Sequence, residues 1–201
     1  MTDDPRTPRL GFDPPVPGDL NAVFAIASDP RTWAHIPGDL LTDPAQIEAT
    51  LAMFGSGWQE NGLSHWVVRL ASDGQYPGLK QGQVLGTGGV HLFETPSGSR
   101  FWNLGYRLDP TCWGQGFATE LAQRAVACAG ETLAAVPVIA RVLSTNPASA
   151  KVALKAGLAL KWSGEPSAKT RAAVGRDSVQ RLIFADRTLA PEVLDYLVSR
   201  G

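Results

Sequence analysis

The residues best suited to chemistry lie in one stretch, Asn103 to Glu120, reading NLGYRLDPTCWGQGFATE. An alternating run, Phe101 to Leu108, predicts a strand that Asp109-Pro110 stops. Gly114-Gln115-Gly116 follows, and then a helical pattern carrying Phe117, Leu121, Ala125 and Cys128 on one face. Strand, glycine turn and helix start in that order aim backbone N–H groups at one point, with the helix dipole behind them. An anion belongs there, most often a phosphate or pyrophosphate. Two familiar phosphate motifs fit poorly. No GxxxxGK[ST] string occurs. A dinucleotide fingerprint would need Gly or Ala where Thr119 stands, and a carboxylate closing the next strand, which instead ends Val142-Leu143-Ser144-Thr145.

The elements that must position this turn can be read from period and punctuation. Arg9 to Pro15 suits an edge strand, because Pro14, Pro15 and Pro17 forbid regular pairing beyond it. Asp19 is a candidate helix cap before Leu20, Val23, Phe24 and Ala27, an i, i+3, i+4, i+7 face. A loop holding Trp33 and His35 leads to Asp43-Pro44-Ala45-Gln46, a capping box with proline at the first helical position. Ile47, Leu51 and Phe54 stripe that helix, and Gly55, Gly57 and Gly62 are expected to close it. From Ser64 the period becomes two, predicting strands at 64–70, 83–94 and 101–108, joined by a long polar turn from Asp73-Gly74 to Gly82 and a hairpin at Thr95–Ser99. A helix at about 115–131 and a strand at 136–143 complete a right-handed βαβ unit, which makes that strand parallel to its predecessor. Asn146-Pro147 opens a short helix ending at Gly157. Strands are expected at 159–163 and 178–184, with a polar, mobile connection GEPSAKTRAAVGRD between them and a terminal helix at 191–198.

Bulk properties narrow the function further. The chain has 201 residues, 44% hydrophobic and 18% charged, which suits one domain over 9–201 behind a flexible tail at 1–8. A net charge of −1 gives no field to hold nucleic acid. No apolar run reaches the roughly 20 residues of a membrane helix, and MTDDPRTPRL has no signal-like apolar core. Cys112 and Cys128 form neither a metal spacing nor a disulfide framework, and His35, His65 and His91 are scattered. We therefore expect a cytoplasmic protein with reduced thiols and no metal.

The strings LDPTCWGQGFATELAQRAV and ARVLSTNPASAKVALKAGL resemble the GNAT superfamily of acyl-CoA-dependent N-acetyltransferases. More narrowly, they resemble the branch containing the N-terminal (alanine/serine) acetyltransferases of ribosomal proteins. The family motif [Q/R]xxGxG/A is matched with Trp113 in the Gln/Arg slot, as is common in that branch, and RLDP before it and N-x-x-S after it match in order and spacing. The likeness is clear over Leu85 to Leu158 and weaker over Arg9 to Pro30. It implies an α/β fold with a mixed, mostly antiparallel central sheet, a splayed parallel pair made by the fourth and fifth strands, and helices on both faces.

The resemblance also assigns roles. The backbone of Tyr106, Arg107 and Leu108 would run beside the pantetheine arm of acetyl-CoA, and one N–H there would hold the thioester oxygen. Gly114, Gln115, Gly116, Phe117, Ala118 and Thr119 would cradle the pyrophosphate, and Asn146 would contact the pantetheine. Ser149 would protonate the leaving sulfur, with Lys155 as a basic position in the same helix. Trp33 and His35 would help to wall the acceptor site. Two usual groups are missing: Ala153 stands where many members have an acidic tyrosine, and Arg141 where some have a basic carboxylate. Glu94 is then the candidate base and His91 the second choice, its ordinary pKa lying nearer 7. A covalent role for Cys112 has no supporting His spacing. The implied reaction is acetyl transfer from acetyl-CoA to a primary amine, on a protein or peptide N-terminus or a small molecule. The alternative is a non-catalytic acyl-CoA sensor. Homodimers are common among relatives.

Overall fold

The structure is a computed structural model that describes residues 6–72, 76–176 and 178–200. Strands β1 (Leu10–Asp13), β2 (His65–Leu70), β3 (Val84–Glu94), β4 (Arg100–Leu108), β5 (Val138–Leu143), β6 (Ala159–Gly164) and β7 (Arg181–Ala185) form one sheet in the order β1-β2-β3-β4-β5-β7-β6. Every neighbouring pair is antiparallel except β4 and β5. That parallel pair is joined only at Trp102↔Val138 and Asn103↔Ile139, and beyond it the strands diverge. The sheet is thus the mixed, mostly antiparallel one expected, with its fourth and fifth strands splayed.

Helices cover both faces. On one face α3 (Phe117–Thr132) and α4 (Pro147–Lys155) pack Phe117, Leu121, Ala125 and Ala153 against Trp66, Trp102, Leu104 and Val138. On the other, α1 (Leu20–Ala27) and α2 (Pro44–Asn61) bury Val23, Ile47 and Phe54 against Val67. Further along that face, α6 (Pro191–Ser199) covers Phe101, Ile139 and Ile183. The alternating pleat makes this division: odd-numbered β4 residues point toward α1 and α2, and even-numbered ones toward α3.

Local signals hold where the chemistry is local. Asp43 accepts from the Ala45 amide and Gln46 reaches back to the Asp43 amide, closing the capping box. Three expectations change. Asp19 does not cap α1; its carboxylate, 4% exposed, accepts from the Val16 amide and pairs with Arg69. A buried carboxylate is better satisfied by a guanidinium than by one helix amide. Helix α2 runs through Gly55 and Gly57 and stops at Gly62, whose φ is +67°. The connection after β6 is ordered: Ser167 caps α5 (Ala168–Val174), which buries Val174 against Ile36, Leu143 and Val179. At the N-terminus the Thr7 amide donates to Leu10 O at 2.9 Å. The rest of that tail, and the turn at Asp73-Gly74, lie outside the described residues.

Replacing Asp19 with alanine strips the partly buried Arg69 of its closest partner. Denaturant unfolding of Asp19→Ala is expected to show a loss of about 2 kcal/mol, the scale of a hydrogen bond to a charged group. An unchanged midpoint would mean that Asp13, which lies 3.2 Å from Arg69, suffices alone.

Candidate functional site

The open edge of β4 is the first component of the site. Amide directions alternate along a strand. The Trp102 amide donates to Pro137 O on the β5 side, whereas the Asp109 amide donates to Leu85 O on the β3 side. By the same alternation the Tyr106 and Leu108 amides face the gap where β5 has turned away, and the Arg107 amide is spent on β3 opposite Thr87. Of the three expected backbone contacts, two therefore face the cleft and Arg107 does not. The Leu108 carbonyl accepts from Trp113 Nε1 at 2.9 Å, which folds the half-exposed indole back over the strand end.

The glycine turn lies directly beyond. Gly114 and Gly116 have φ of +78° and +81°, a left-handed conformation that side-chain-bearing residues rarely adopt. Among the described residues, the amides of Gly114, Gln115, Gly116, Phe117 and Ala118 donate to no other protein group, whereas those of Thr119 and Glu120 close on Gly116 O. A row of free amides at the start of a 16-residue helix is an anion cradle. Arg9 sets its shape, donating to Gln115 O at 2.8 Å, to Tyr76 Oη at 3.2 Å and to Glu120 at 2.5 Å, with its guanidinium 4.9 Å above the Phe117 ring. Thr7 donates to the other Glu120 oxygen. The Glu120 charge, which would repel an arriving phosphate, is thereby neutralised. Arg9 was not among the sequence candidates; its signal lies 106 residues from the carbonyl it holds.

Across the cleft, Asn146 Oδ1 accepts from the Ser149 amide and caps α4. The Tyr106 hydroxyl spans the splay and donates to Ser149 Oγ at 3.2 Å. Burial raises the Tyr106 pKa, so the phenol keeps its proton at neutral pH. Ser149 then has its own proton to give. Ala153 is packed in the core, so no hydroxyl arises from that position; the phenol comes from β4 instead. Lys155 is exposed at the end of α4.

Of the remaining candidates, Glu94 lies on the α3 side of the sheet, in phase with Gly88 and Leu92, and His65 and His91 lie on the opposite, α1–α2 face. Glu94 pairs with Arg100 at the far end of the β3–β4 hairpin. It stands six register positions from the row of Gly88 and Tyr106, roughly 20 Å along the strand, and is not brought to the other groups. His91 is nearer, opposite Asn103, and its Nδ1 lies 3.2 Å from Ser64 Oγ. Burial lowers its pKa, so it is neutral at pH 7. His65, which has no spacing signal in the sequence, stacks on Phe54 at 4.3 Å and lies against Gly105. Burial, aided by His91, pushes it down to about 3. Arg107 turns its side chain to this face, donating to Thr32 O at 2.6 Å and stacking 3.4 Å from the Trp33 ring centroid. His35 is held neutral by burial and by the charges of Arg107 and Arg181. Cys112 is buried, donates to Asp109 O and is pushed up to about 12 by burial and Asp109, so it offers no thiolate. Among the described residues no three His, Cys, Asp or Glu side chains gather to hold a metal, and no helix is long and apolar enough to cross a membrane.

Comparison with known proteins points the same way. The family model described as an acetyltransferase (GNAT) domain matches residues 9–159. An acetyltransferase from Agrobacterium tumefaciens superposes with a TM-score of 0.67 at 22% identity, covering 91% of this chain and 93% of that one. A ribosomal-protein alpha-N-acetyltransferase bound to coenzyme A gives 0.67 at 14% identity, over 89% and 94%. A microcin self-immunity acetyltransferase bound to acetyl-CoA and AMP gives 0.66 at 10% identity, over 91% and 94%. At these identities the superpositions show a shared fold.

The depressed His65 pKa has a consequence for stability. The unfolded chain takes up a proton near 6.5 and the folded one only near 3, so this contribution is complete above 6.5 and is lost as pH falls between the two values. Melting temperature is expected to drop between pH 6.5 and about 5, above the carboxylate range. His65→Gln should flatten that limb; an unaltered slope would show that the imidazole titrates normally in the fold.

Proposed function

The chain belongs to the GNAT acetyltransferase family, and from that premise we propose that it moves the acetyl group of acetyl-CoA to a primary amine by direct attack in a ternary complex. The observation that carries this reading is the Tyr106–Ser149 hydrogen bond across the cleft, beside unpaired amides on β4 and in the glycine turn. The residues fit the ligand: free amides of 114–118 suit the pyrophosphate, and the open edge at Tyr106 and Leu108 suits the amide-bearing pantetheine arm. The amine lone pair attacks the thioester carbonyl carbon, and negative charge grows on its oxygen, where the Tyr106 amide can donate. The C–S bond breaks, the sulfur takes a proton from Ser149, Tyr106 restores it, and solvent returns a proton to Tyr106. The nitrogen must lose a proton before or during attack. His91, neutral and in reach of the cleft's other face, is the base we assign through water, in preference to the distant Glu94.

A protein N-terminus stays among the acceptors because one compared structure is a ribosomal-protein alpha-N-acetyltransferase; a small primary amine is the other class. The reaction needs no metal.

Acetyl-CoA at about 100 times its Kd should stabilise the protein by about 2.7 kcal/mol, with NAD inert, and Gly116→Val should abolish the rise. Ser149→Ala should lower kcat about 100-fold with acetyl-CoA KM unchanged. Stabilisation by acetyl-CoA without turnover of any amine would instead assign a sensor.

A further inference from the structure

The acceptor face of the cleft carries more positive charge than its own carboxylates answer. Asn103↔Ile139 fixes the sides, so Arg107 on β4, Arg141 on β5 and Arg181 on β7 all project to the face of α1 and α2. They flank the point where β4 and β5 part. Among the described residues none of the three makes an ion pair within 4 Å. Arg107 places one nitrogen on Thr32, Arg141 reaches only the Arg200 carbonyl at 3.4 Å, and Arg181 reaches Thr170 Oγ1 at 3.5 Å. The Arg181 Nε is buried with no hydrogen-bond partner. A buried N–H of a cation left unpaired is costly unless a ligand completes it.

The three charges form one field. Arg107 and Arg181 both act on His35 between them, and Arg141 acts on Arg181. Among the described residues, the one carboxylate that acts on His35 and Arg181 is exposed Asp39. Burial lowers Arg107 and Arg181 to about 10, still charged at neutral pH. The segment carrying Trp33 and His35 roofs the group. Thr145 Oγ1 donates to the His35 carbonyl at 3.0 Å, and Gly38 lies so close to Ala173 of α5 that a Cβ would come within 2.7 Å of its Cα. Arg107 and Arg181 are therefore partly buried beneath this segment, and Arg141 is the exposed member of the group.

We propose that the acceptor is an anionic amine, bearing a carboxylate that Arg141 and Arg181 hold on the β5–β7 side of the cleft while Arg107 and Trp33 wall the β4 side. The inference rests on the acetyl-transfer reading. It selects amino acids and acidic peptide N-termini over polyamines, whose charges the same field repels.

The test is a turnover screen of matched acceptors with released CoA as readout. It uses free amino acids against their amides, and peptides with Glu against Gln in the first two positions. Carboxylate-bearing members should be preferred by roughly 10- to 100-fold in kcat/KM. Preference among free amino acids assigns the α-carboxylate, and preference only among peptides assigns an acidic side chain. Arg181→Gln and Arg141→Gln should each raise KM for the anionic acceptor and leave acetyl-CoA stabilisation unaltered. Equal turnover of acids and amides, or turnover of polyamines alone, overturns the proposal while acetyl transfer stands. Weakened acetyl-CoA binding in the arginine variants also overturns it, by giving those cations to the phosphates. Failure of acetyl-CoA to stabilise the native protein would sink the acetyl-transfer reading itself.

Discussion

Two register pairs hold β4 to β5, and everything functional in the fold follows from their ending there. A parallel pair that continued would consume the amides of Tyr106 and Leu108 in the sheet. Because it stops, an edge of backbone donors opens in the middle of the protein, where an edge strand is normally a hazard. The hazard is contained by what surrounds it. Trp113 caps the Leu108 carbonyl, Tyr106 bridges to Ser149, and α3 and α4 close one side.

The two faces of the opening have different chemistry. The α3 side is built from backbone: free amides, left-handed glycines and a capped helix. Backbone donors carry no net charge, suit a ligand whose phosphates bring their own, and need no side-chain identity beyond glycine. The α1–α2 side is built from side chains: histidines held neutral by burial, an arginine laid on an indole, two further arginines. Side chains discriminate, so under the proposed reaction one face would suit a constant donor and the other would select the acceptor. Two shallow surface concavities, beside Glu165 and Arg171 and beside Asp13 and Trp58, contain none of these residues.

What was legible in the sequence was local. Gly114 and Gly116, Asn146-Pro147 and Asp43 to Gln46 announce turns and caps because the atoms that bond are within four residues of one another. The period-two runs gave the hairpin strands, and one intervening helix gave the parallel pair. The misreadings share a different cause. Glu94 was chosen as the base because the usual groups at Ala153 and Arg141 are missing, yet register sends it to the far end of β3. Helix α5 was hidden because its core contribution is essentially Val174, too little to set up a period. Asp19 looked like a cap, but its partner Arg69 lies 50 residues on. Arg9, His65 and the three arginines acquire meaning only once strands are ordered, and no spacing in the chain encodes that order.

The bond from Arg9 to Gln115 spans 106 residues. A phosphate loop in isolation is already shaped by its glycines, but here its orientation is fixed by the first strand of the sheet. On the ribosome that strand is made early and must wait, unpaired, until β2 and then α3 have emerged. Its two neighbours in space, Leu70 across the ladder and Glu120 beneath it, arrive in that sequence. The glycine turn is thus among the most non-local parts of the chain to assemble, and its final shape reports that β1, β2 and α3 have come together, before β5, β6 and β7 are made.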